Sequence, residues 1–368
     1  MQNKIKCGVI GAGWWATFAH IPALLGHPNA ELIAIQKRDR QQGQRVANDF
    51  GIPIACTTAD DLLAIDGLQA VIVSSSPNLH YEHASAALAL GKHVLIEKPM
   101  TLTVAEAQDL VETAQQNGTR FLISCPWHYT AHASEAQRLV RNGDLGKVRM
   151  ISVLMTNPIS HLLRGNGTQP THGTPYMNPR EGTYSNPQVA GGGQIYAQVC
   201  HAAAYLTFLT GARPTEVFAR FHNDGGALDI YDALTLQMDD SSIVTLASTG
   251  ATSLGRRDFE VRVFGTKGML FLDLWQGKMQ FVPLIGEPVN YADLQEHEIY
   301  PHMAPAMNLI DSICNPESNR SPATLGVAAM EVIEAACRSE RTAIMSSSHL
   351  FWSNPHEPGV VTWNHLEP

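Results

Sequence analysis

Two short runs in this chain carry residue types that can move a proton. Glu97-Lys98-Pro99 closes the apolar run "KHVLI", and His201 closes "GGGQIYAQVCH", residues 191 to 201. A lysine at the end of a buried strand can hold a depressed pKa and exchange a proton with a hydroxyl. The plain structural alternative is a Glu97–Lys98 salt bridge with a proline to stop the strand. A histidine titrates near 6.5 and suits the same exchange, although a lone histidine on a helix is more often a packing residue. Neither side chain carries a hydride, and what either could act with depends on a cofactor that the first hundred residues would hold.

The first residues supply a place for one. "IKCGVIGAGWWATFAH" passes from a strand-like run, Ile5 to Ile10, through Gly11-Ala12-Gly13 into a helical pattern from Trp14. Gly11, Gly13 and Ala16 occupy a G-x-G-x-x-A pattern. The first glycine permits a tight turn, the second lets backbone approach a pyrophosphate, and the small third residue lets helix pack on strand. Trp14 and Trp15 open the helix, whose free N–H groups face the phosphates. After the second strand, "AELIAIQ", come Lys37 and Arg38, where an NAD-preferring domain places a carboxylate for the ribose 2′-OH. Two cations there attract a 2′-phosphate, so NADP(H) is expected in preference to NAD(H). The alternative is a pair of solvated loop charges.

The elements that position these residues follow a βα alternation. "LQAVIVSSS" is a buried strand without polar alternation, as a parallel sheet requires. "HYEHASAALALG" and "TVAEAQDLVETAQQNG" are helices closed by Gly91 and Gly118, and "TRFLISC" is a further strand. The expected fold class is α/β, with an N-terminal Rossmann domain, a doubly wound parallel sheet, to residue 125. Ligands gather at the carboxyl ends of such strands. There the loop Ser74, Ser75, Ser76, Pro77, Asn78 to His80, together with Glu97 and Lys98, faces the nicotinamide half of a cofactor.

From residue 126 the pattern changes. Strands joined by tight turns at Asp239-Asp240-Ser241 and Gly265 to Gly268 read as an antiparallel meander, flanked by amphipathic helices. Residues 126–345 form the expected second domain, and 346–368, with Trp352 and Trp363, a C-terminal extension. The stretch 157–190 is rich in Asn, Pro, Gly, Thr and His and lacks periodicity. Loops of that length are functional lids or solvated excursions, and His161, Arg164, His172 and Tyr184 are its candidate contacts for a hydroxyl-rich ligand. His128 and Tyr129, in "CPWHYT", are candidates for the pocket wall.

The GxGxxA turn, the SSSPNLH loop, the EKP tripeptide and the later GGG…H together resemble the Gfo/Idh/MocA oxidoreductases, over residues 4 to 340. That family is named for glucose-fructose oxidoreductase and inositol dehydrogenase. The resemblance implies a second α/β domain with a large, open, mostly antiparallel sheet, a substrate site on one face, and a homodimer or homotetramer. It implies reversible hydride transfer between NAD(P) and a carbinol of a sugar, sugar derivative or cyclitol. Lys98 would then contact both substrate and cofactor, and His201 would share the proton. The family pattern places an aspartate four residues before the histidine, and here that residue is Ala197. Tyr196 and Gln198 are neighbours able to replace its hydrogen bonds. The departure leaves open a glycoside-cleaving enzyme that holds its nicotinamide tightly and shows no net redox change. A cofactor-binding regulator without catalysis is a third reading, resting on Ala197 alone.

Composition agrees. The chain has 368 residues, 44% apolar and 16% charged, with a formal charge of −9. That length suggests two domains. The negative charge argues against nucleic acid, whose phosphates need a basic face. No apolar run approaches the ~18 residues a membrane span needs. The N-terminus leaves no room for a signal peptide, and six scattered cysteines without a CxxC read as reduced thiols, so a cytoplasmic protein is expected. Sixteen histidines are many, yet no HxxxH or HExxH falls on a clear helix, and no metal is expected.

Overall fold

The computed structural model describes residues 4–166, 176–253 and 255–342. Its first sheet has six parallel strands: β1 (Ile5–Ile10), β2 (Ala30–Gln36), β3 (Ile54–Cys56), β4 (Ala70–Val73), β5 (His93–Ile96) and β6 (Phe121–Ile123). Their order is β3-β2-β1-β4-β5-β6, so the switch point lies between β1 and β4. β4 is buried throughout and β5 along three of its four residues, as expected where helices cover both faces.

The connecting helices carry ordinary end signals. Asp39 caps Arg40–Phe50 by accepting from the Gln42 N–H at 2.9 Å, and Gly51 closes it at φ 68°. Thr103 and Glu106 form a capping box at the start of Val104–Gln116.

The second sheet has eight strands: β7 (Val148–Thr156), β8 (Pro214–His222), β9 (Tyr231–Met238), β10 (Ile243–Thr249), β11 (Asp258–Gly265), β12 (Gly268–Asp273), β13 (Lys278–Pro283) and β14 (Val289–Asn290). The order is β14-β13-β12-β11-β7-β10-β9-β8. Pairing is antiparallel except between β7 and β10, where Ile151 lies beside Val244 in a parallel register. Alternate residues of β9 and β10 are buried, so one face meets the core and the other is open.

Helix Ala304–Cys314 follows the second sheet in sequence but packs back on the first. Its Ala306, Leu309 and Ile310 share a core with Ile5, Cys7, Leu95 and Leu122. Among the described residues no helix is long and apolar enough to cross a membrane, and no cluster of His, Cys, Asp and Glu could hold a metal. His172, Trp352 and Trp363 lie outside the described residues.

Candidate active site

The first turn after β1 is built for close approach. Gly11 has φ +85°, and a Cβ there would lie 2.5 Å from the Ser75 amide nitrogen. A Cβ on Gly13 would meet only the Gly11 carbonyl, at 3.8 Å, because it would fill open space in the cleft. The two glycines therefore have different work: Gly11 lets two loops touch, and Gly13 keeps a cradle empty for a ligand. Ala16 is fully buried behind that cradle. The helix then begins as a π-turn, Ala16–His20.

Glu97 bolts this helix to the end of β5. Its Oε1 accepts from the Trp15 indole N–H at 2.8 Å and lies 3.0 Å from His20 Nε2. Its Oε2 accepts from the Lys98 amide at 3.2 Å. Burial raises the carboxyl pKa, but hydrogen bonding and charge from His20 and Lys98 outweigh it and hold Glu97 below the usual range. Glu97 thus joins helix to sheet, and the simple Glu97–Lys98 side-chain bridge is not what the strand end makes. His80 ties the neighbouring loop to the same corner, 2.7 Å from the Pro99 carbonyl and 3.0 Å from that of Ser75.

Lys98 reaches away from Glu97 into the second domain, where its ammonium donates to the Ala197 carbonyl at 3.2 Å. Burial works to lower its pKa, but the anion-forming groups around it, Cys200, Tyr184 and Glu97, carry it above the ordinary lysine value. Of these, Glu97 is charged at neutral pH. Lys98 is thus buried against a backbone carbonyl, with the Glu97 carboxylate favouring its charged form. His201 is the opposite. Burial first, then the Lys98 charge, push it well below 6.5, so it is a neutral imidazole. Its ring meets Trp127 edge to face at 5.2 Å, and its Nδ1 is buried without a hydrogen-bond partner. A buried ammonium and a neutral imidazole thus line the same cleft.

The stretch leading to His201 is not one regular helix. Ile195–Val199 forms a π-turn, and the α-helix runs Cys200–Thr210. Such turns often mark functional sites. Nor do the three glycines before it serve the pocket alone. A Cβ on Gly191 or Gly192 would strike the Tyr196 ring at 2.7 or 2.6 Å, and one on Gly193 would lie 2.1 Å from the Asp229 carbonyl oxygen. Asp229 grips this turn: its carboxylate accepts from the Gly193 and Ile195 amides at 2.9 and 2.7 Å, and its carbonyl from Gln194 at 3.0 Å. Tyr196 is itself a packing residue, its hydroxyl donating to the Leu102 carbonyl at 3.2 Å.

One cleft of about 900 Å³ joins these parts. It starts at Gln36, Lys37, Arg38 and Asp39, passes Gly11, Gly13, Trp14, Trp15 and Ser74–Pro77, and ends at Glu97, Lys98, Tyr184, Tyr196, Ala197, Gln198 and His201. Asn78 is exposed and outside the lining. His128 and Tyr129 also lie outside it, which corrects the expectation that they wall the pocket. His128 is packed flat on Phe208, 4.4 Å away, with Nδ1 2.9 Å from Ser321 Oγ, and Tyr129 donates to Asn308 at 3.2 Å. The residue before them, Trp127, is the one that faces the cleft, with Trp275 and Tyr300 beside it at 5.1 and 4.7 Å. Those aromatics come from three distant segments and had no local signal beyond residue type. From the long loop, Tyr184 and Arg180 reach the cleft, whereas Arg164 pairs with Asp224 at the surface.

A strand-end cradle free of side chains, a polar loop opposite it and an open path to Lys98 fit a dinucleotide with its nicotinamide at the Lys98 end. Residues 5–124 match the family model described as "Oxidoreductase family, NAD-binding Rossmann fold", and residues 133–271 match "GFO/IDH/MocA C-terminal domain". An uncharacterised oxidoreductase of Synechocystis sp. is 28% identical over 332 residues, 84% of this chain and 85% of that one. A dTDP-3,4-didehydro-2,6-dideoxy-alpha-D-glucose 3-reductase of Streptomyces antibioticus is 33% identical over 155 residues, 42% of this chain and 47% of that one. A levoglucosan dehydrogenase, solved with NADH and levoglucosan, superposes with a TM-score of 0.77 at 14% identity, covering 92% of this chain and 98% of that one. The two family models together span most of the chain, which is an oxidoreductase with an NAD(P)-binding Rossmann domain and belongs to the Gfo/Idh/MocA family.

Proposed function

We propose that this enzyme is an NADP(H)-dependent oxidoreductase that interconverts a carbinol and a ketone on a sugar, sugar derivative or cyclitol. The observation that carries the reading is the pairing of a held cation, Lys98, with a neutral base, His201, on the wall that ends the dinucleotide cleft. A nicotinamide bound there supplies or accepts the hydride. For oxidation, the Lys98 ammonium stabilises negative charge growing on the substrate oxygen, and the neutral His201 imidazole accepts the hydroxyl proton. For reduction, the same two groups return the proton. Trp127, Trp275 and Tyr300 offer flat apolar faces that suit the C–H face of a ring, and exclude water from the reacting carbon.

Lys37 and Arg38 support NADP(H), because both line the cleft just past β2 and the nearby Asp39 carboxylate is engaged as a helix cap. Six unpaired cysteines support a cytoplasmic setting. The open face of the second sheet exposes Met150, Leu154, Phe218, Tyr231 and Ile243, which supports a homodimer or homotetramer joined there.

The test follows nicotinamide absorbance with NADPH and NADH against keto-sugars, and with NADP⁺ and NAD⁺ against polyols. Lys98→Ala and His201→Ala should each lower kcat by about 10²–10⁴-fold while cofactor binding survives. Wild-type rates in both variants would sink the mechanism. A glycoside split without added cofactor would favour the elimination reading instead.

A further inference from the structure

The long loop of the second domain crosses onto the first beside the nucleotide end of the cleft. Tyr176 packs its ring edge to face on Phe50 at 5.3 Å, and its hydroxyl donates to the Asp49 carboxylate. The Arg45 guanidinium lies 5.9 Å over the same ring. These three partners all belong to helix Arg40–Phe50, which begins directly after Lys37 and Arg38. Met177 packs against the first domain's core, with its sulfur 3.8 Å from Lys37 Nζ. Arg180 then lines the same cleft as Lys37 and Arg38.

Arg180 is near enough to Lys37 to add to the depression that burial imposes on its ammonium, while Asp39 works against it. Asp39 is the acid of this corner, and its carboxylate accepts from the Gln42 amide at 2.9 Å and side chain at 3.3 Å. Three cations drawn to one end of a cleft repel one another until an anion is placed among them. A guanidinium supplies the paired donors that phosphate oxygens accept.

We propose that Arg180 completes a 2′-phosphate socket with Lys37 and Arg38, so that cofactor choice is read across the domain boundary, with Tyr176 as the positioning residue. This rests on the reading of the enzyme as NADP(H)-dependent. Arg180 comes from the long loop, on a segment fastened to the very helix that follows Lys37 and Arg38. Its contribution depends on the loop staying docked. Loss of the Tyr176 anchor should therefore act on discrimination through Arg180 and not independently of it.

The experiment measures NADP⁺ and NAD⁺ dissociation constants for the full chain and for Arg180→Ala, Tyr176→Ala and the double variant. Melting temperatures without cofactor check that each is folded. Arg180→Ala should weaken NADP⁺ about ten- to a hundredfold, as loss of a charged hydrogen-bonding partner does, and leave NAD⁺ nearly unchanged. Tyr176→Ala should erode the NADP⁺:NAD⁺ ratio in the wild type but not further in the Arg180→Ala background. If the wild type prefers NADP⁺ and Arg180→Ala weakens both cofactors equally or neither, the inference falls while NADP(H) dependence stands. If the wild type prefers NAD⁺ or does not discriminate, that dependence falls and the inference with it.

Discussion

The Lys98 ammonium donates to the main-chain carbonyl of Ala197, 3.2 Å away. Any residue at position 197 offers that carbonyl, and alanine adds no carboxylate beside it. A carbonyl holds the ammonium in place without cancelling its charge, and leaves that charge to depress His201.

Restoring the acid should reverse this balance. In Ala197→Asp a carboxylate beside His201 favours the imidazolium. The acid limb of the kcat/KM profile, expected below 6.5 in the wild type because burial depresses His201, should move up. An unmoved acid limb would mean that His201 is not the titrating base.

The two glycines of the first turn should separate folding from binding. Gly11→Ala puts a methyl 2.5 Å from the Ser75 amide at φ +85° and should lower the melting temperature of the cofactor-free protein. Gly13→Ala meets no protein atom closer than 3.8 Å. Its melting temperature should hold while cofactor affinity drops about tenfold or more. Equal loss of stability in both variants would overturn this division.

Asp229 touches no part of the cleft, yet it holds the amides of Gly193 and Ile195 at the head of the turn bearing Ala197 and His201. Asp229→Asn keeps one acceptor oxygen and should keep much of the activity. Asp229→Ala frees both amides and should lower kcat more than it raises KM for the sugar. Equal kcat in the two variants would show that the grip does not position the turn.

Acid should unfold this protein through its buried neutral histidines. His128 titrates at about 3 in the folded chain, chiefly through burial, against 6.5 when unfolded. Below 6.5 the unfolded chain takes up a proton that the folded one refuses. Stability is therefore complete above 6.5 and is lost as pH falls from 6.5 toward 3, by roughly 1.4 kcal/mol per pH unit for such a group. His128→Phe keeps the stack on Phe208 and gives up the Ser321 contact, about 1 kcal/mol. Its melting temperature should be lower at pH 7 but should fall less between pH 7 and pH 5. An identical fall in both proteins would exclude His128 as a contributor.

What could be read from the sequence was local. Strand, glycine turn and helix at residues 5–26 sit within one another's reach, and Lys98 follows its own strand, so both were placed by short-range pattern. His201 rests on the same local ground, but the π-turn before it leaves no mark in hydrophobic spacing. His128 and Tyr129 were preferred to Trp127 by residue chemistry, whereas the backbone turns Trp127 toward the cleft. The purpose of the glycine triplet lay with Asp229, some 36 positions later. Tyr176 and Arg180 had no readable role, since their partners lie more than a hundred residues upstream.

Helix Ala304–Cys314 sets the order in which this chain can be completed as it leaves the ribosome. The first sheet's last strand ends at Ile123, but Leu309 and Ile310, which cover that sheet with Ile5 and Leu95, emerge far later. At ~5–20 residues per second, the sheet waits roughly ten to forty seconds with an apolar face uncovered. For that interval the nascent nucleotide-binding half is a ready client for chaperones, and no fragment that stops at its last strand should be soluble by itself.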